Sequence, residues 1–251
     1  MILSVRKLLH VLLCINLTKI DYKMSFNHKE GFESIRLVTE RGHIDCRCYY
    51  PHLANPVDKE EEAAATQQSA AAIFVTGVGG GWGTPAEGLY PRLCNSLAGE
   101  GITGLRIRYR HPTDLAESVF DVLAGISYLK QQQRRLKSVG LVGHSFGGAV
   151  VIQAAALASD VVSTVVTIAT QSYGATDAMA KLRNSRRISL LLIHGTNDNV
   201  LPVYCSEQIY QLAREPKRLE VYRGAGHSLD EVSEEVYRLV NGWMVQHLKS
   251  S

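Results

Sequence analysis

Hydrophobic and polar positions change their period several times along the chain. Residues 33–39 and 43–50 carry strand-like patterning, and Arg41 and Gly42 between them read as a hairpin turn. Residues 71–76 form a continuous apolar run, which predicts a strand buried on both faces. A glycine-rich loop and a helix over 89–98 follow, then a strand over 103–109. Asp114, with Glu117 three residues on, forms a capping-box pattern. It opens a helix whose Leu115, Val119, Val122, Leu123, Ile126 and Leu129 recur at helical spacing. A strand over 138–143 runs into Ser145, and an alanine-rich helix follows. Further strands are predicted over 163–169, 188–194 and 218–222, with helices over 204–213 and 233–248. The last helix turns Val236, Leu239, Val240, Trp243 and Met244 inward. Strands alternating with helices predict an α/β fold, a mostly parallel central sheet flanked by helices.

That alternation occupies residues 31–251 and reads as one domain, a size sufficient for a large buried core. Residues 1–30 precede it. There Arg6 and Lys7 stand before an apolar run over 8–17 that resembles a signal-peptide core and is too short to span a bilayer. No small-residue cleavage site follows. The expectation is a dispensable extension, so that a chain starting at Met24 folds and keeps its activity. A cytoplasmic location is expected, with targeting or secretion through the apolar segment as the alternative. Residues 54–70 are polar and rich in Ala, Glu and Gln, and read as a surface connection.

Composition narrows the function classes. Hydrophobic residues make up 45% and charged residues 20%, the balance of an ordinary globular protein. A net charge of +3 is too small an excess to imply a nucleic-acid partner. No stretch suits stable membrane insertion. The five cysteines are odd in number and scattered, so no disulfide framework is visible. Cys46 and Cys48 share one strand face, but no second pair completes a zinc site, and no metal or organic cofactor is expected.

The chemistry concentrates after three strands. GHSFG over 143–147 matches G-x-S-x-G between an apolar strand and a small-residue helix. Such a turn projects the hydroxyl of Ser145 away from the sheet and puts helix N-terminal N–H groups beside it. A serine hydroxyl needs a base within hydrogen-bond reach. Asp198 lies 53 residues after Ser145, in the loop after strand 188–194, and His227 lies 29 residues further, in a glycine-rich loop after strand 218–222. Both belong to the carboxyl edge of the sheet, where open α/β sheets place their sites. Asp177 is the competing acid. His144 and His194 beside the motif residues read as packing or supporting groups.

IFVTGV over 73–78, GITGLRIRYR over 101–110, GHSFGG over 143–148, HGTND over 194–198 and GAGH over 224–227 resemble the successive landmarks of the α/β-hydrolase superfamily. The resemblance covers residues 32–248 and is strongest to small serine hydrolases near the dienelactone-hydrolase and prolyl-oligopeptidase-like branch. It implies an α/β-hydrolase fold and a triad of Ser145, Asp198 and His227. It also implies an oxyanion hole made by the backbone N–H groups of Phe146 and Val78. Thr76 and Gly77 stand where relatives usually have His-Gly, and a serine stands where the dienelactone branch commonly has cysteine. Only 17 residues separate Thr170 from Ile188, too few for an inserted cap domain. An open pocket edged by Trp82, Tyr173 and Tyr204 is therefore expected, with a small or medium ester or thioester as the small-molecule substrate. A peptidase or amidase, or a non-catalytic ligand-binding homologue, remains the alternative.

Overall fold

The computed structural model describes residues 21–27, 31–51, 69–133, 135–182 and 188–250. Nine strands form one sheet: β1 (Asp21–Asn27), β2 (Phe32–Thr39), β3 (Gly42–Tyr49), β4 (Ser69–Val75), β5 (Ile102–Arg108), β6 (Leu136–His144), β7 (Val162–Ile168), β8 (Ser189–Gly195) and β9 (Lys217–Tyr222). Six α-helices are described: α1 (Leu89–Gly99), α2 (Leu115–Gln132), α3 (Phe146–Leu157), α4 (Thr176–Leu182), α5 (Tyr204–Leu212) and α6 (Ser233–Lys249). None is long and apolar enough to cross a membrane.

The strand order is β1-β2-β3-β5-β4-β6-β7-β8-β9. Pairing is antiparallel from β1 to β5 and parallel from β5 to β9. The expected strands are all present, within two residues of their predicted ends. The side-chain alternation of β4 explains its unbroken apolar run. Ala71, Ile73 and Val75 enter the core under α2, α3, α4 and α5, while Ala72 and Phe74 enter the core under α1 and α6. Chain order reverses at β4. From it the chain steps outward to β5, then returns past it to β6. The helix after β4 lies on one face and the helix after β6 on the other. Two neighbouring strands whose exits diverge leave a crevice at their carboxyl ends, the usual place for a site in such sheets.

Three local expectations are revised. Asp114 does cap α2, accepting from the Glu117 N–H at 3.1 Å. The return half of the capping box does not form, because the Glu117 carboxylate is held by Arg41 and Arg110. In α6, Val236, Val240 and Met244 are fully buried, but Leu239 and Trp243 only border the core. The domain begins earlier than residue 31. Residues 21–27, expected to belong to the extension, form β1 along the whole of β2. The cause is a pattern too mixed to read: DYKMSFN covers a sheet edge and leaves Tyr22 and Met24 substantially exposed. Tyr22 nevertheless packs edge-on against Tyr128 of α2 at 5.2 Å and donates to Gln132 at 3.3 Å. The rest of the extension, and the 54–70 connection up to residue 68, lie outside the described residues.

Met24 sits in the middle of β1, so cutting there removes the Tyr22–Tyr128 contact. A chain beginning at His28, which lacks β1 altogether, should melt several degrees below one beginning at Asp21, since each kcal/mol moves Tm by about 2–4 °C at this size. Equal melting curves would show that the edge strand contributes nothing.

Candidate active site

Ser145 joins β6 to α3 with φ 56° and ψ −121°. A non-glycine residue there costs about 1–3 kcal/mol and persists only where its surroundings impose it. The imposing contacts are close. A Cβ at Gly147 would stand 2.5 Å from the Thr76 carbonyl oxygen and 2.9 Å from that of Val75. A Cβ at Gly143 would collide with the Gly147 carbonyl. The turn is thus wedged between the two ends of its own motif and the end of β4. The Ser145 N–H is held by Ile168 O at 2.8 Å, which ties the turn to β7. The hydroxyl itself makes no hydrogen bond to a protein group among the described residues.

Asp198 and His227, the expected acid and base, arrive on two loops packed back to back. A side chain at Gly195 would strike the Ala225 carbonyl, and the Asn197 N–H donates to that same carbonyl at 2.9 Å. His227 Nδ1 lies 2.7 Å from Asp198 Oδ2. A carboxylate only accepts, so Nδ1 carries the hydrogen and the Nε2 lone pair is left to accept a proton. The other carboxylate oxygen accepts from the Val200 and Leu201 N–H groups, both at 2.8 Å. His194 Nε2 faces two acceptors, Leu201 O at 3.0 Å and Asp198 Oδ2 at 3.1 Å, so it too carries its hydrogen. Burial pushes the Asp198 carboxyl up, but the Leu201 N–H, His227 and the Val200 N–H outweigh it and hold the pKa below the ordinary range. Asp198 is therefore an anion at neutral pH with its acceptor positions filled. Asp177 is exposed in the first turn of α4, and the histidine goes to Asp198.

His144, the residue before the nucleophile, links the two halves of the site. Its ring lies 4.8 Å from the His227 ring, and its Nε2 donates to the His227 carbonyl at 3.1 Å. Burial is the main cause that lowers its pKa to about 4. It is a neutral donor across the physiological range. The base loop is also held from its other side, by the Ala86 N–H on Ser228 O at 2.7 Å.

The remaining expected residues divide. Gly77 packs on the nucleophile, a Cβ there falling 3.2 Å from Ser145 Cβ, and Val78 follows it. Among the described residues neither the Val78 nor the Phe146 N–H is engaged by a protein acceptor. The three pocket aromatics are not brought to Ser145 by any hydrogen bond or ring contact. Trp82 has Arg47 over its ring at 4.4 Å, while Tyr173 and Tyr204 are 73% and 61% exposed. A cleft of about 520 Å³ lined by Arg41, Arg110, His111, Thr113, Asp114 and Glu117 opens beyond β5. Its arginines are paired with Glu117 and Asp121. Sequence reasoning passed over one group near the site, Arg106; its signal was a charge in the middle of a strand buried on both faces.

A sheet with this switch point, a strained serine turn after β6 and a short connection from β7 to β8 defines an α/β-hydrolase fold without a lid. Residues 107–241 match the dienelactone hydrolase family, and the chain belongs to it. The fold is shared with Est1E from Butyrivibrio proteoclasticus (TM-score 0.68, 16% identity, 86% of this chain and 99% of that one). It is shared equally with dienelactone hydrolase from Anabaena variabilis (TM-score 0.68, 18% identity, 91% and 99%). XC6422 from Xanthomonas campestris, an α/β serine hydrolase without lid, follows (TM-score 0.66, 17% identity, 89% and 97%). Est1E is also known with ferulic acid bound. A 54-residue stretch is 48% identical to the uncharacterised Escherichia coli protein YfhR; it covers 20% of this chain and about a fifth of that relative, 19%.

The depressed pKa of His144 has a sign. The unfolded chain takes up a proton near the ordinary pKa of ~6.5, whereas folded His144 stays neutral down to about 4. Its contribution to stability is complete above pH 6.5 and declines as pH falls toward 4. His144→Gln keeps a donor for the His227 carbonyl and cannot titrate. Its Tm should fall less steeply than the wild type's between pH 6.5 and 4; parallel pH–Tm curves would contradict the assignment.

Proposed function

We propose that this protein is a serine esterase that cleaves small or medium carboxylic esters or thioesters through Ser145, Asp198 and His227. The observation that carries the reading is the 2.7 Å bond from His227 Nδ1–H to Asp198. It fixes the tautomer with a basic Nε2, on a loop that touches the residue beside the nucleophile. In this mechanism His227 Nε2 takes the Ser145 proton as Oγ attacks the carbonyl carbon. The carbonyl oxygen becomes an oxyanion, received by the unengaged N–H groups of Phe146 and Val78. Each such donor is worth roughly 3–4 kcal/mol in comparable sites. Collapse of the adduct breaks the bond to the leaving alcohol or thiol, which departs with the proton from His227. Water, deprotonated by the same nitrogen, then hydrolyses the acyl-enzyme and frees the acid. Asp198 stabilises the imidazolium at both stages without taking its proton.

Absence of a lid supports a short acyl group. With no inserted cover, each methylene beyond the first few would extend into water and gain little of the ~0.8 kcal/mol available on burial. The ferulic acid held by Est1E is compatible with an acid of this size. Hydrolysis of aryl esters of graded acyl length tests the reading. Efficiency should peak at about two to six carbons by the burial argument. Asp198→Asn should lower kcat by about 10⁴-fold, the cost in a comparable triad, while Asp177→Asn leaves it unchanged. Efficiency still rising at twelve carbons, or a crippling Asp177→Asn beside a mild Asp198→Asn, would overturn it.

A further inference from the structure

We infer that Arg106 is a positioning residue for the oxyanion-stabilising loop: its buried guanidinium grips Trp82 and thereby fixes where the Val78 N–H lies. The inference rests on the esterase reading above. Arg106 sits in the interior of β5 and is 4% exposed. Arg108 at the end of β5 and Arg110 just beyond it each pair with carboxylates, Asp45 for the first and Glu117 and Asp121 for the second. Arg106 pairs with none among the described residues. A buried cation without an anion is costly unless its hydrogens are all spent on something the fold needs held.

Its partners identify what is held. Nη2 donates to the Trp82 carbonyl at 2.6 Å, and the guanidinium carbon lies 5.7 Å from the Trp82 ring. Arg47 covers the same ring at 4.4 Å and also lies over Phe32 at 4.5 Å. Tyr90 donates to Val75 O at 2.9 Å, the last residue of β4. The loop that runs from β4 to Trp82 is thus held at one end by Tyr90 and at the other by the Arg106 guanidinium.

The loop needs such an anchor. Five of the seven residues over 77–83 are glycine, and Gly80 and Gly81 have positive φ. Glycine gives the backbone its largest freedom, and an oxyanion donor is useful only when its direction is fixed before reaction. Inside the loop a single backbone hydrogen bond forms, Gly80 N–H to Gly77 O at 3.0 Å. At its near end Gly77 rests on Ser145, and at its far end Trp82 is held by two guanidinium groups at its ring and by the bond from Arg106 to its carbonyl. Val78 lies between these fixed points. Loss of the clamp would leave substrate binding in place and blur the donor that meets charge only in the transition state.

The test compares wild type, Arg106→Met and Arg106→Lys on one short aryl ester, beside inhibition by a trifluoromethyl ketone that forms a tetrahedral adduct with serine. Arg106→Met should lower kcat by about 10- to 100-fold, within the cost of one oxyanion donor, with KM within about twofold. Ketone affinity should weaken by the same factor. Arg106→Lys keeps the charge without the planar fork and should recover part of both. If Arg106→Met fails to fold, Trp82→Phe, which keeps the carbonyl and trims the ring, should give the same signature at lower amplitude. A variant that melts lower yet keeps wild-type kcat and ketone affinity would reduce Arg106 to a packing residue and overturn the inference alone. Absence of hydrolysis in the wild type would overturn the esterase reading and this inference with it.

Discussion

A side chain at position 147 would meet the carbonyl oxygens that end β4, and this close approach governs the rest of the site. Because two bare backbones touch there, α3 can begin directly beside the end of β4. Ser145 is then left at the apex with φ 56°, a conformation its own side chain disfavours. The same approach brings the loop after β4 against the nucleophile, with Gly77 on Ser145. The proposed nucleophile and oxyanion donors are therefore placed by one packing constraint. Diverging helix exits from β4 and β6 supply the open space above them.

Electrostatics completes what packing begins. Asp198 is buried, yet both of its oxygens are saturated by donors from its own loop and from two histidines. An anion so satisfied can dictate a tautomer to its neighbour without itself titrating near neutrality. Around it stand three histidines with distinct duties. His227 is the base of the proposed triad, His194 donates to the Asp198 carboxylate, and His144 donates to the His227 carbonyl. The second and third each spend an Nε2–H on a carbonyl or carboxylate acceptor, while the Nε2 of His227 has no protein partner among the described residues.

Most of this was legible in the sequence where residues are dictated by local geometry. The doubly buried strands β4 to β8 read directly, because a run such as LLLIHG has no other place in a protein of this size. The placement of Ser145, Asp198 and His227 after strands, and the pairing of the last two, read from loops marked by glycine. The edge strand β1 did not, since an exposed edge tolerates the mixed pattern of DYKMSFN. Helix α4 was missed because seven residues are too few to show a period. Trp82 stood out in the sequence as a large side chain among glycines, but the clamp on it did not. Its partners Arg47 and Arg106 are 35 and 24 positions away in sequence, and only the sheet register brings them to its ring. The capping box failed halfway for a similar reason, as Arg41 on a distant hairpin captured Glu117.

Covalent chemistry at Ser145 can be read by intact-protein mass spectrometry after treatment with a fluorophosphonate. The wild type should carry one phosphonyl adduct, mapped by peptide sequencing to Ser145, and a folded Ser145→Ala variant none. An equal adduct on that variant, or none on the folded wild type, would contradict it.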